Sequence, residues 1–392
     1  MLPDVECLIL GGGCAGLSLA MRLAEQGAKA PETLILERRQ EYDNDRTWCF
    51  WGDHSAPLQQ LRQHHWNHLR LSKEGAVIAV DCTRTPYQML AAGRFYGAAI
   101  AAIERSRQIE LLTGVAIEAN PLWQNGRWQV PTARGVVSAK MLIDTRAPAL
   151  PAPGGALLWQ SFLGHEIECA QAVFDPLVAH LMDFTAPSTQ HVAFTYVLPL
   201  SPTRALIEYT LFAEQPYSAA EIAAALAGVI AQRVNGARFS VLRSEQGVLP
   251  MGLPAAKSLP LPPSSIHAGL FGGGCRPATG FAFQRIQRWA AECAMALSQG
   301  RMPLPHRPDP WLLRQMDRIF LQVMRRSPQL APDMFMAMFQ DIKTERVIRF
   351  LSDQGRVADY LAMVCALPPA PFLRQLLPGG SGWRRPATAG RA

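Results

Sequence analysis

The spacing of hydrophobic and polar positions changes along the chain, and each change predicts an element. Residues 5–10, "VECLIL", form a short apolar run of strand length, and "LSLAMRLAEQG" from residue 17 repeats apolar positions at helical spacing before a closing glycine. "TLILE" at 33–37 is a second strand, so the chain opens with a strand, glycine-rich turn, helix and strand. Short alternating pieces from 46 to 82 predict strands, and residues 86–104 have helical spacing. "IELLTG", "GRWQV" and "KMLIDTR" continue in strands. Between about 155 and 215, "LLWQSFLGHEIE", "HVAFTYVLPL" and "RALIEYTLF" alternate with period two, as antiparallel strands do, and "SPT" makes a hairpin-like turn between the last two. An alanine-rich helix is expected at 219–234. A strand, a glycine loop and an amphipathic helix follow in "SIHAGLFGGGCRPATGFAFQRIQRWAAECAMALSQG", and residues 309–365 are helical. The tail "PGGSGWRRPATAGRA" has loop composition and is expected to be mobile. No internal repeat is present.

The glycines add chemistry to this pattern. "GGGCAG" places Gly11, Gly13 and Gly16 in a G-x-G-x-x-G arrangement between strand and helix. Such glycines allow a tight turn, close approach of backbone to a pyrophosphate, and close helix–strand packing, with the helix N-terminus aimed at the phosphates. Glu37 ends the next strand 21 positions after Gly16, where an acid accepts hydrogen bonds from the adenosine ribose. A second glycine loop, "FGGGCRPATGF", lies near residue 275 at another strand–helix junction. FAD is long and is often capped by a late segment, which NAD does not need, so FAD is the expected cofactor.

"RALIEYTLF" at 204–212 raises a separate question, because Glu208 interrupts an apolar β-prone segment. On a strand, Leu206, Glu208, Thr210 and Phe212 share one face. If that face is dry, burial raises the carboxyl pKa and leaves a neutral acid able to protonate a weak base, even an alkene. If it is wet, Glu208 is simply solvated. "RTWCFW" gathers Trp48, Phe50 and Trp51, either as core or as an aromatic wall whose π faces solvate a cation. "HHWNH" spaces His64 and His68 as a helical pair, but no third ligand accompanies them, and no metal is expected. "MFMAMF" has the character of helix packing.

Composition narrows the class. The 392 residues, 49% hydrophobic and 18% charged, specify a folded protein of several parts. A net charge of +7 suits nucleic acid or an anionic lipid surface, but no like-charge run or basic–aromatic motif favours nucleic acid. Eight cysteines without a C-x-x-C pair indicate reduced thiols in a cytosolic setting. No basic, cleavable leader opens the sequence, and no 18-residue apolar run is present, so any membrane contact is expected from the side.

Taken together, "LILGGGCAGLSLA", "RTWCFW", "LIDTR", "WQSFLGHEIE", "FDPLVAHLMDF", "YVLPLSPTRALIEYT", "EQGVLPMG" and "GGGCRPATGFAF" resemble the bacterial lycopene β-cyclases over roughly residues 4–375. The order and spacing of these segments are more specific than any one of them. The resemblance implies an α/β fold, with a Rossmann-like FAD-binding domain, an interleaved, mainly antiparallel substrate sheet, and a C-terminal helical region. The FAD-binding part is expected at 1–45, 83–150 and 264–300, the substrate part at 46–82 and 151–263, the helical region at 301–378, and a flexible tail at 379–392.

It further implies Glu208 as the catalytic acid/base. Gly11, Gly13, Gly16 and Glu37, with Gly273, Gly274, Arg276, Thr279 and Gly280 of the late loop, are expected to hold FAD. Trp48, Trp51, Glu166, Asp183 and Tyr196 are candidates for contact with the substrate or its cation. Two departures stand out: Cys14 replaces a bulkier apolar residue, and "EYT" has one acid where some members have two, which leaves Glu208 alone in its segment.

The implied reaction closes the ends of lycopene, first to γ-carotene and then to β-carotene, without net redox change. It requires reduced FAD, with NAD(P)H as the expected donor. Lycopene and related linear carotenoids are the expected substrates, and the cytoplasmic face of the membrane is the expected location, by peripheral contact. The alternative is an FAD-dependent monooxygenase or reductase acting on an isoprenoid. A flavin-bearing carotenoid carrier is a third reading.

Overall fold

The computed structural model describes residues 4–52, 56–147, 155–184, 188–253 and 264–376. The tail expected at 379–392 lies outside the described residues. Among the described residues the architecture is mixed α/β, with two seven-stranded sheets, one three-stranded sheet and a helical C-terminal region.

The first sheet is built on parallel strands Ile109–Leu112, Thr33–Leu36, Asp4–Leu10 and Gly135–Asp144, side by side in that order. Ser265–His267 pairs in parallel with the end of Gly135–Asp144, while Arg127–Thr132 pairs antiparallel with its beginning and is followed outward by Leu122–Gln124. Within Asp4–Leu10, the apolar run Cys7–Leu10 is explained by burial on both faces. Cys7 and Ile9 meet the helices Cys14–Glu25, Ala92–Glu104 and Phe283–Ser298, whereas Leu8 and Leu10 pack with Trp128 and Val130.

Residues 86–104 depart from the expectation of a single helix. Tyr87–Ala91 is a fully buried strand, and the helix begins only at Ala92. Tyr87–Ala91 pairs with both Thr47–Trp51 and His64–Trp66 in the three-stranded sheet, and that pairing overrides the local helical spacing. His64 and His68 lie in separate strands, His64–Trp66 and His68–Lys73, so the helical spacing between them is not realised.

The second sheet runs Phe239–Met251, Leu158–Cys169, Arg204–Ala213, Val192–Pro199, Val178–Phe184, His68–Lys73 and Ala76–Asp81. The hairpin across Ser201–Thr203 sets the register of its centre, pairing Tyr196 with Glu208 and Leu198 with Leu206. Helix Ala219–Val234 covers one face, through Ile222, Leu226 and Ile230 against Ile167, Val197 and Ile207. A capping box of Ser218 and Glu221 starts that helix, and left-handed Asn235 ends it. On the other face, Phe194, Leu198, Leu206 and Phe212 join a core that includes Leu321, Met334 and Phe339 of the C-terminal helices. That apolar layer makes the Glu208 side of the sheet an inner face.

Candidate active site

The early glycine loop has the geometry of an anion cradle. Gly11 holds φ at +98°, and a Cβ on Gly16 would stand 2.0 Å from the Gly11 carbonyl oxygen. Gly13 caps helix Cys14–Glu25 with no side chain bonded to the first turn, which leaves its N–H groups and the positive end of the helix dipole for a ligand. Glu37 is buried beside the loop, where Oε2 accepts from the Gly12 N–H at 2.7 Å and Oε1 from the Arg39 N–H at 2.8 Å. These groups suit a dinucleotide pyrophosphate: bare N–H donors, no Cβ in the way, and an acid next to them.

The late loop is braced from behind. Gly273 has φ of +97° and Gly280 of +71°, while the Gly274 N–H bonds the Gly269 carbonyl at 2.9 Å. His306 Nε2 accepts from the Gly269 N–H at 3.0 Å, and its ring stacks on Trp289 at 4.9 Å. Burial pushes the His306 pKa down to about 4, with the nearby Arg285 charge acting in the same direction. Thr279 Oγ1 accepts from the Phe281 N–H at 3.2 Å, and of the late-loop residues expected to hold FAD, Gly280 lines the central cavity. Arg276 turns the other way. Its guanidinium is buried against Asp317 at 3.1 and 3.2 Å, donates to the Phe350 carbonyl, and lies 4.3 Å from the centre of the Phe350 ring. It ties the loop to the C-terminal helices and does not line the cavity.

A cavity of about 560 Å³ joins the two loops to the second sheet. Gly13, Cys14, Ala15 and Thr145 bound it on the glycine-loop side; Tyr196, Leu206, Glu208 and Glu245 bound it on the sheet side. Trp48 and Trp51 contribute to the wall between. Trp48 stacks on Phe283 at 5.1 Å, and Trp51 packs against Tyr87 at 4.7 Å with its indole N–H buried and unpartnered.

Gly164 creates the key feature of the sheet wall. It pairs with Glu208 on one neighbouring strand and Glu245 on the other. A Cβ at position 164 would lie 3.3 Å from Glu208 Cβ and 3.2 Å from Glu245 Cγ, so the missing side chain gives both carboxyls room to meet. Thr210 Oγ1 donates to Glu208 Oε1 at 2.8 Å. Glu245 Oε2 accepts from Thr47 Oγ1 at 2.7 Å and from Arg243 Nη1 at 2.6 Å. The Glu208 carboxyl is pushed up to about 8, first by burial and then by the Glu245 charge and hydrogen bond. It is an acid that keeps its proton at neutral pH. Glu208 is half-buried on the cavity wall, on the face of the strand that packs towards the C-terminal helices.

Two other acids stand away from the cavity. Glu166 is fully buried, with Arg204 Nε at 2.6 Å and Arg243 Nε at 2.5 Å, so its charge is spent on a pair of guanidiniums. Asp183 accepts from Ser72 Oγ at 2.5 Å and is ion-paired to Arg233 of helix Ala219–Val234, across the sheet from the cavity. Neither lines the wall where the substrate candidates Trp48, Trp51 and Tyr196 lie. Glu245, Thr47 and Arg243 were not among the expected site residues. Glu245 lies in "EQGVLPMG" and Thr47 in "RTWCFW", but only strand order brings them beside Glu208.

The lycopene cyclase protein family profile matches residues 6–377. The chain belongs to the lycopene cyclase family. Lycopene β-cyclase from Pantoea ananas is 25% identical over 396 aligned positions, spanning 96% of this chain and 98% of that protein. Among solved structures, the family member resembles a geranylgeranyl bacteriochlorophyll reductase-like protein from Thermoplasma acidophilum, with a TM-score of 0.61 and 13% identity over 96% of this chain and 99% of that one. It also resembles the flavin-dependent monooxygenase PieE, solved with FAD and substrate, at a TM-score of 0.60 and 12% identity over 95% of this chain and 72% of that one. These likenesses show that the cyclase-family chain has the Rossmann-type fold of flavoprotein monooxygenases and reductases. No helix among the described residues is long and apolar enough to cross a membrane.

Proposed function

We propose that this chain is a lycopene β-cyclase that converts the linear ends of lycopene to β-rings by acid-initiated, redox-neutral cyclisation. The observation that carries the reading is Glu208: a proton-bearing carboxyl on the wall of an aromatic cavity into which an uncapped, glycine-framed helix N-terminus also faces. Family membership and the Pantoea ananas relative support the substrate class.

The chemistry follows from these residues. Glu208 delivers its proton to C2 of the terminal double bond, whose π pair forms the new C–H bond and leaves positive charge at C1. The 5,6 π pair closes the ring onto C1 and moves the charge to C5. The Glu208 carboxylate left by the first step takes the C6 proton, and that C–H bond pair becomes the ring double bond. Trp48, Trp51 and Tyr196 present π faces and exclude water while the charge exists. Gly11, Gly13, Gly16 and Glu37, with Gly280 across the cavity, would hold FAD, and the PieE likeness supports that cofactor. Bound and reduced, FAD supplies negative charge beside the cation without consuming electrons, and NAD(P)H serves to keep it reduced.

The remaining assignments belong to the same reading. Segments 1–45, 83–150 and 264–300 hold FAD, 46–82 and 151–263 shape the substrate wall, and the helices within 309–365 meet the membrane surface that stores the carotenoid. Val357, Leu361 and Val364, exposed at 69%, 60% and 58% on helix Val357–Ala366, support such contact from the cytoplasmic side.

The test is the pigment made by a lycopene-accumulating host that expresses the chain. Ring products of unchanged mass, lost in Glu208→Gln with FAD retained, are expected. The monooxygenase fold likeness favours a second reading, for which the pigment gains oxygen. Ring formation by Glu208→Gln would overturn the assignment of the acid.

A further inference from the structure

The Glu208 carboxyl has one neighbour that the reaction as written leaves idle. Glu245 sits on the opposite side of Gly164, within hydrogen-bonding reach, and lines the same cavity. The two acids are solvated unequally by the protein. Among the described residues, Glu208 receives a single hydroxyl, from Thr210, whereas one oxygen of Glu245 receives both the Arg243 guanidinium and the Thr47 hydroxyl. Thr47 is itself held by Arg243 Nη2 at 2.7 Å, and Arg243 by buried Glu166 at 2.5 Å. The chain Glu166–Arg243–Glu245 therefore ends at the acid.

We propose, building on the cyclase reading, that Glu245 is a positioning residue: Arg243 and Thr47 keep it ionised, so the one proton of the pair resides on Glu208 and points back into the cavity wall until substrate takes it. Two carboxylates this close do not both ionise readily in a dry site, and the better-bonded one carries the charge. The upward displacement of Glu208, caused by burial and then by Glu245, agrees with this division.

The other groups facing Glu208 do not replace Glu245. Tyr196 from the adjacent strand, and Cys49 and Tyr87 from the three-stranded sheet, all have their pKa pushed up, foremost by burial, and stay neutral across the working range. Two positions along the Gly164 strand, the Glu166 charge is paired with Arg204 and Arg243. Glu245 is the anion in contact with Glu208.

The test compares alkaline limbs of the pH–rate profile for purified, FAD-loaded enzyme with lycopene in liposomes. Wild type loses activity as pH rises and the pair gives up its proton. Glu245→Gln removes the neighbouring charge, so its limb moves to lower pH by about one unit or more while turnover persists on the acid side. Thr47→Val removes a donor to the anion, so its limb moves the opposite way. Opposite displacements support the pair; limbs that coincide with wild type in both variants sink it, as does Glu245→Gln that binds FAD but turns over at no pH. If wild-type protein forms no rings, the cyclase reading fails separately. The pair then stands or falls on the infrared carbonyl band of the protonated acid, absent in Glu208→Gln and expected to titrate at lower pH in Glu245→Gln.

Discussion

Gly16 rests directly on the carbonyl of Gly11: a Cβ at 16 would be 2.0 Å from that oxygen, and 3.3 Å from Ile9 Cγ2. The contact locks helix Cys14–Glu25 against strand Asp4–Leu10 and fixes where the bare N–H groups of the first turn point. Gly16→Ala must push helix and strand apart, because the obstacle is backbone and not a movable side chain. We expect a loss of about 3 kcal/mol, at the upper end for overpacking, and flavin content well below wild type. Normal flavin absorbance per protein in Gly16→Ala would show that the contact does not shape the cradle.

Arg276 and Asp317 form a buried pair, with side chains 1% and 4% exposed, joining the late glycine loop to helix Trp311–Arg326. Asp317 is pushed up by burial against the lowering effect of Arg276, so the pair stands on its geometry and not on a large favourable field. Arg276→Met strands a buried carboxylate, and chemical denaturation is expected to show a loss of about 3–5 kcal/mol. Adding Asp317→Leu removes the stranded charge and recovers much of it. A double variant no more stable than the single one would contradict this account.

The cradle was legible in the sequence because its constraints are local. Gly11 answers to its left-handed backbone and Gly16 to the Gly11 carbonyl five positions back, and the strand and helix around them follow from spacing alone. Period two also placed Leu206, Glu208, Thr210 and Phe212 on one face, as the register shows. Whether that face was dry was not legible, since it depends on Phe194 and Leu198 of the next strand and on helices more than 100 residues away. Glu245 was hidden for the same reason: its neighbour is chosen by strand order and by the hydrogen at Gly164. Arg276 shared a segment with the glycine loop, yet its side chain answers to Asp317, 41 positions on. Tyr87–Ala91 shows the converse, helical spacing overruled by two pairing strands.

His306 offers an acid-side test of the late loop. Its Nε2 must be unprotonated to accept the Gly269 N–H, and its pKa is lowered from 6.5 to about 4. A lowered pKa means the neutral form is favoured by folding, so its contribution is complete above about pH 6.5 and declines as pH falls towards about 4. Flavin retention in wild type is expected to weaken across that window. His306→Phe keeps the stack on Trp289 but leaves the Gly269 N–H unbonded, so its flavin retention should be lower at pH 7 and less dependent on acid. An unchanged acid dependence in the variant would remove His306 from the explanation.

Glu208 gives the opposite sign, and it separates stability from activity. Its pKa rises from 4.5 unfolded to about 8 folded, so the folded state binds the extra proton between those values. Stability from this group is therefore full below about pH 4.5 and is lost as pH climbs through about 8, because unfolding lets the acid ionise in water. Glu208→Gln has no proton to lose. Its melting temperature should match wild type near pH 4 and exceed it increasingly from pH 5 to 8, while ring formation is absent throughout. The stability gain and the activity loss then come from the same cause, a carboxyl held neutral at a cost in folding free energy so that it has a proton to give. A variant less stable than wild type at pH 8, or melting curves whose separation ignores pH, would mean the side chain is ionised in the folded protein and is not the acid.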